Sequence, residues 1–200
     1  MNYGFLDLEM SCDGHISGDR FVDDGRMAFK NREIISAGFI VSDDKYHRKN
    51  QYYALIKPVI NSNITDYCSK LTGLEQSEVN SGKKCNNAFG DIWRMCLKYS
   101  VDYIFTYGTG DANIISITAA RYGKLGEKVH HLYCVKNKIV DVESAIKKGI
   151  GKRGRNSLSM ESVRQKLHID SNGRHHNALD DATLLFNICR ELDIQMVDCK

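Results

Sequence analysis

The sequence predicts an α/β protein, a mixed β-sheet flanked by helices, and three observations carry that expectation. Strand-like apolar runs come early, at residues 3–10, 34–41 and 52–57. Helical patterns fill 64–99, with Phe89, Ile92, Trp93, Cys96 and Leu97 at helical spacing. From Asp102 onward, strand-like and helical stretches alternate. Three strands followed by alternating elements make a sheet with helices packed on it. With 200 residues, 42% hydrophobic and 26% charged, the chain suits one domain, spanning 1–200, with a sizeable core.

Each element can be justified in order. GFLDLEM, within the run 3–10, is apolar enough for a central strand. Residues 12–32 are polar and contain glycine, and read as a long loop. IISAGFIV (34–41) is the second strand, and YYALIK (52–57) is the third, ended by Pro58. Asp43 and Asp44 supply a hairpin turn between these two. DYIFTYG (102–108) is a fourth strand, followed by a helix from Asp111 to Tyr122 that stops at Gly123. HHLYCV (130–135) reads as a further short strand. Helices are expected near 142–148, near 160–167 after Ser159, and near 177–192. Ligands in such sheets bind beyond the strand ends, where the topology switches.

The totals exclude several classes. No apolar run approaches bilayer length, so no membrane contact is expected. No basic segment leads into an apolar core and cleavage site, which points to the cytoplasm. The seven cysteines are odd in number, and no pair has C-x-x-C spacing, so neither a zinc site nor a redox pair is indicated. Free thiols in a reducing compartment are expected. The net charge of +3 is too small to imply nucleic acid. Two basic stretches, Arg26–Arg32 and Lys147–Arg155, suit either a solvated surface or phosphate contacts.

The chemistry begins in the first strand. Asp7 and Glu9 are two residues apart, so in a strand both point to one face, with carboxylates within roughly 7 Å. Two ionised carboxylates on a buried face repel and are costly to desolvate, and a cation resolves both problems. An edge strand with its acids in water is the alternative, but Phe5, Leu6, Leu8 and Met10 leave both faces partly apolar. Further acids follow. Asp111 comes just after a strand at the start of a helix, and His176, Asp180 and Asp181 lead the last helix. Each of these also has a structural explanation, because acids suit a helix's first turn.

Taken in order, the set is D-x-E in the first strand, an Asp after a middle strand, and H-x4-D leading a C-terminal helix. FLDLEMSC, YGTGD and HHNALDDA carry the three motifs. This ordered pattern resembles the DEDDh 3′→5′ exonucleases, the superfamily of ribonuclease T and the proofreading epsilon subunit of bacterial DNA polymerase. EIISAGFIV is similar to that family's second strand. ITDYCSKLTGL resembles a segment of the subgroup that includes histone-mRNA and siRNA exonucleases and the sporulation-kinase inhibitor proteins, and SLSMESVRQKLHI is similar to the helix that precedes the last motif. One departure is Tyr107, where that subgroup usually carries tryptophan.

The resemblance implies a ribonuclease H-like sheet of three antiparallel strands followed by parallel strands. It implies that Asp7, Glu9, Asp111 and Asp181 hold two divalent cations, Mg²⁺ or Mn²⁺. Hard cations prefer oxygen ligands, so carboxylates are the right residues. His176 becomes the general base, chosen over His175 by its spacing to Asp181, while Asp180 stands outside the set. The expected activity is removal of nucleoside 5′-monophosphates from the free 3′ end of single-stranded RNA or DNA, with RNA favoured. Met10 and Thr65 are expected to line the terminal-nucleotide pocket, with Arg26, Lys30 and Arg32 or the 147–155 run along the phosphates. Tyr67 suits either a base stack or the core. The competing reading keeps the fold without catalysis, as a nucleic-acid-binding or regulatory partner-binding protein. A second copy of the chain or a protein partner stays open.

Overall fold

A computed structural model describes residues 1–18, 20–152, 158–170, 173 and 176–199. His175, and Arg153 and Arg155 of the second basic stretch, lie outside the described residues. Five strands form the main sheet: β1 (Asn2–Met10), β4 (Ile34–Asp43), β5 (Arg48–Leu55), β6 (Tyr103–Thr106) and β7 (Ile139–Asp141), in the order β5-β4-β1-β6-β7. Two short strands, β2 (His15–Ser17) and β3 (Arg20–Val22), pair as a separate hairpin. The helices are α1 (Asp66–Thr72), α2 (Gln76–Asn80), α3 (Cys85–Lys98), α4 (Gly110–Lys124), α5 (His130–Lys136), α6 (Glu143–Gly149), α7 (Met160–Lys166) and α8 (Ala178–Glu191). β1 runs antiparallel to β4 and parallel to β6, and β6 runs parallel to β7. β4 and β5 are antiparallel. The mixed ribonuclease H-like sheet expected from the sequence is therefore present, with β1 at its centre.

Strand periodicity explains why β1 can be apolar throughout. Its even residues Leu6 and Leu8 join a core with Phe89 and Ile92 of α3, Ile114 and Ile115 of α4, and Leu132 and Val135 of α5. Its odd residues Tyr3 and Phe5 face a second core with Phe105, Leu185, Phe186 and Ile188. Phe186 of α8 meets Phe5 edge-on, with ring centroids 5.3 Å apart. Such a pair contributes about 0.5–1.5 kcal/mol beyond its area burial. It fixes α8 over the odd face of β1, the face on which Asp7 and Glu9 continue the series.

Two expectations are corrected. Residues 130–135 are not a strand but helix α5, because Leu132 and Val135 lie one helical turn apart and both bury against the α3–α4 layer. The strand in this region is β7, three residues long and only partly buried. Residues 12–32 are not all loop, since they hold the β2–β3 hairpin and a turn of 3₁₀ helix at Phe29–Asn31.

The loop after Pro58 is pinned from inside. Glu33 is fully buried, and its carboxylate accepts hydrogen bonds from the backbone N–H groups of Val59, Ile60 and Asn61 at 2.8, 3.0 and 2.6 Å. It also accepts from the Tyr122 hydroxyl at 2.6 Å. Burial alone would raise its pKa, but these four donors hold it below the ordinary glutamate value.

Candidate active site

The odd face of β1 ends in acid. Glu9 is 9% exposed, Asp111 and Asp181 are each 8% exposed, and Asp7 is partly buried. Asp7 and Glu9 come from the strand. Asp111 is the second residue of α4, which starts after β6 with Thr109 at its N-cap. Asp181 lies in the first turn of α8, which begins after Asn177, whose side chain accepts from the N–H groups of Leu179 and Asp180 at 3.1 and 3.3 Å. Three chain segments, far apart in sequence, thus deliver four carboxylates to one end of the sheet.

The electrostatics record how close they are. Burial pushes the Asp7 carboxyl well above the usual range, and Asp111, Glu9 and Asp181 push it further. Glu9 is raised to about 8 by burial, then by Asp181 and Asp111. Asp111 is raised to about 7 by burial, against donation from the Leu8 N–H and its own N–H. Mutually repelling acids on a closed face are an arrangement that a cation relieves. Oxygen-only donors suit a hard divalent ion, and Mg²⁺ uses few protein carboxylates and keeps several waters. The residues present therefore fit the cations the sequence implies.

His176 belongs to the same cluster. One ligand atom each from Glu9, His176 and Asp181 lie within 4.8 Å of one another. The His176 backbone N–H donates to the Asp181 carboxylate at 3.0 Å. Its side chain is exposed, and its φ of 61° places it in the left-handed region. A non-glycine residue held there has its conformation set by its surroundings. In this case the bond to Asp181 does so, turning the chain just before α8.

The feature that sequence reasoning missed is Gly38. It sits directly opposite Asp7 in the β1–β4 ladder. A Cβ on Gly38 would lie 2.1 Å from the Ala178 carbonyl oxygen, 2.2 Å from its carbon and 2.4 Å from the Leu179 nitrogen. The missing side chain lets the start of α8 rest on the sheet backbone, which is what brings Asp181 to Asp7 and Glu9. A glycine inside an otherwise apolar strand marks close backbone approach, and that was the available signal. Asp141 was also missed. It ends β7, accepts from the Gly108 and Glu143 N–H groups at 2.8 and 2.9 Å, and raises the Asp111 carboxyl.

The two residues expected at the terminal nucleotide sit where α1 is bonded to the end of β1 and the residues after it. Thr65 is the N-cap of α1, its hydroxyl accepting from Cys68 N–H at 3.0 Å and donating to the Cys12 carbonyl at 2.8 Å. Met10 is partly buried against the Leu6–Leu8 core, and its carbonyl accepts from the Cys68 thiol at 3.9 Å. Tyr67 is 7% exposed and packs in a small core with Cys12 and Cys68. Of the basic residues, Arg32 is bound to Asp23, and Lys147 forms a 2.8 Å ion pair with Glu143. Tyr107, at the departure from the subgroup, donates its hydroxyl to the Leu158 carbonyl.

A family model described as an exonuclease, that of ribonuclease T, matches residues 5–189. The chain belongs to the RNase T exonuclease family. Solved structures agree on the fold. A 3′-exonuclease that recognises the 3′ end of the histone mRNA stem-loop aligns with this RNase T-family chain at a TM-score of 0.76 and 16% identity. That alignment covers 96% of this chain and 63% of the other, so the chain spans less than two thirds of that protein. The nuclease domain of 3′hExo, a DEDDh family member bound to rAMP, aligns at 0.74 and 17% identity over 96% of this chain and 90% of its own. Pop2p of S. pombe, in a form with Mg²⁺ and Mn²⁺ bound, aligns at 0.64 and 14% identity over 99% and 85%. No curated protein matches the chain by sequence. Among the described residues, no helix is long and apolar enough to cross a membrane.

Proposed function

We propose that residues 1–200 form a single metal-dependent 3′→5′ exonuclease domain that hydrolyses single-stranded nucleic acid, RNA in preference to DNA, to nucleoside 5′-monophosphates. The observation that carries the reading is the convergence of Glu9, His176 and Asp181 within 4.8 Å, on the face where Asp7 and Asp111 also repel. Asp7, Glu9, Asp111 and Asp181 would hold the Mg²⁺ or Mn²⁺ pair. Bound there, two cations neutralise phosphate charge, make a water more acidic and assist a leaving oxygen.

The chain's own groups do the rest. The carboxylates, fixed by a central strand and two helix starts, would fix the cations that in turn hold the 3′-terminal phosphodiester. His176, exposed on the turn before α8, receives the proton of the attacking water. The water oxygen bonds to phosphorus, the bond to the 3′-oxygen breaks with its electron pair, that oxygen takes a proton from solvent to become the new 3′-hydroxyl, and the 5′-monophosphate is released. Met10 and Thr65 border the terminal nucleotide from the α1 side, where α1 is hydrogen-bonded to residues 10 and 12. Free thiols on all seven cysteines suit a reducing compartment, the cytoplasm.

The deciding experiment digests matched RNA and DNA oligonucleotides, labelled at the 5′ end, with Mg²⁺, Mn²⁺ or chelator. Stepwise shortening from a free 3′-hydroxyl, lost with chelator and blocked by a 3′-phosphate, is expected. Retardation without shortening would support the binding-protein reading, and cleavage of circular strands would indicate an endonuclease.

A further inference from the structure

The β2–β3 hairpin leaves β1 six residues after Glu9 and carries large apolar residues in the open. Ile16 is 41% exposed and Phe21 is 42% exposed. They are direct cross-strand partners, so both lie on one face of the hairpin. That face turns toward α1, where the Phe21 ring meets Tyr67 edge-on with centroids 5.7 Å apart. The hairpin is seated there firmly, since a Cβ on Gly14 would lie 2.9 Å from the Tyr67 ring. α1 in turn is bonded to the end of β1 through Thr65 and Cys68. The exposed pair is therefore linked to the carboxylate end of β1 through α1.

An isolated two-stranded hairpin is marginal in water, so leaving its apolar face half open works against its own stability. The charges at its base are already matched. Asp24 pairs with Arg26 at 2.8 Å and faces His15 at 3.3 Å, and Asp23 pairs with Arg32. Among the described residues, the Ile16–Phe21 face offers an aliphatic side chain and an aromatic ring, joined through Tyr67 of α1 to the end of β1. Single strands bind such platforms through base stacking, whatever their sequence.

We propose that the hairpin face bearing Ile16 and Phe21 is a stacking shelf for the bases of single-stranded substrate upstream of the 3′-terminal nucleotide. The proposal rests on the exonuclease reading above. The strand whose last phosphodiester lies at Glu9 and Asp181 leaves along α1 and crosses the shelf.

The test compares wild type with Phe21→Leu, which keeps apolar bulk against Tyr67 but removes the ring, and Phe21→Tyr, which keeps the ring. Substrates are a single-stranded 20-mer and a dinucleotide, which has no upstream bases. Phe21→Leu should raise KM for the 20-mer about tenfold, the scale of one lost stack, and leave kcat/KM on the dinucleotide within about twofold. Phe21→Tyr should behave as wild type on both. Equal loss on both substrates, or an unchanged KM for the 20-mer in Phe21→Leu, would overturn the shelf. Binding of a fluorescent 20-mer in Ca²⁺, followed by anisotropy, separates the two readings. If wild type cuts neither substrate yet binds the 20-mer through Phe21, the exonuclease reading fails and the shelf stands.

Discussion

Replacing Gly38 by alanine should cripple hydrolysis without touching any acidic group. The added Cβ would sit 2.1 Å from the Ala178 carbonyl oxygen, and an ordinary contact begins near 3.4 Å. The obstacle is backbone on both sides, so no side chain can swing away. The first turn of α8 must lift by more than 1 Å, and Asp181 rides on that turn. A misplacement of about 1 Å in a catalytic group costs roughly 100-fold in rate. Overpacking of this kind also destabilises by about 1–3 kcal/mol. The control is Gly110→Ala, at the first position of α4 and next to Asp111. There a Cβ meets nothing within 4 Å, and stability should hold or rise by about 0.4–1 kcal/mol. Initial rates on a 5′-labelled single strand in Mg²⁺, with urea denaturation of both variants, make the comparison. A Gly38→Ala protein that cuts at the wild-type rate would refute the argument that this close approach sets the position of Asp181.

Three further outcomes are expected. His176→Ala should lower kcat by roughly 100-fold or more while keeping the thermal stabilisation given by Mn²⁺; loss of that stabilisation would make the ring a ligand instead of the base. Asp7→Asn should abolish hydrolysis yet raise the melting temperature in chelator, because it removes a repelling charge, and Mg²⁺ should no longer stabilise it; a variant that melts lower in chelator would count against the repulsion. Glu33→Gln should cost roughly 3 kcal/mol, since an amide turns donors toward the N–H groups of residues 59–61. The folded pKa of Glu33 lies below its unfolded value, so its contribution is complete above about pH 4.5 and is lost as pH falls through the folded value. Urea titrations between pH 5 and pH 2 should therefore show a shallower acid loss in Glu33→Gln than in wild type, and parallel curves would refute the assignment.

The fold and the acids were legible for one reason: each signal was long or ordered. The nine residues of β1 and the ten of β4 exceed what a chance apolar run supplies, and D-x-E, Asp and H-x4-D gain force from their sequence. Short elements were not legible. HHLYCV holds β-favouring side chains in a window too brief to tell a period of 2 from 3.6, and the packing of Leu132 and Val135 against α3 and α4 decided for a helix. The strands β2 and β3 have three residues each, and exposed residues leave no burial pattern to read. Gly38 was visible as a letter but not as a contact, because its meaning depends on a helix that starts 140 residues later.

The distance between those letters has a biological side. Glu9 is made 172 residues before Asp181, and α8 can dock on β1 only after it has itself left the ribosome. Until then the half-built molecule lacks Asp181, and its set of carboxylates is incomplete. A chain cut short before α8 lacks Asp181, so on the proposed mechanism it should not cleave.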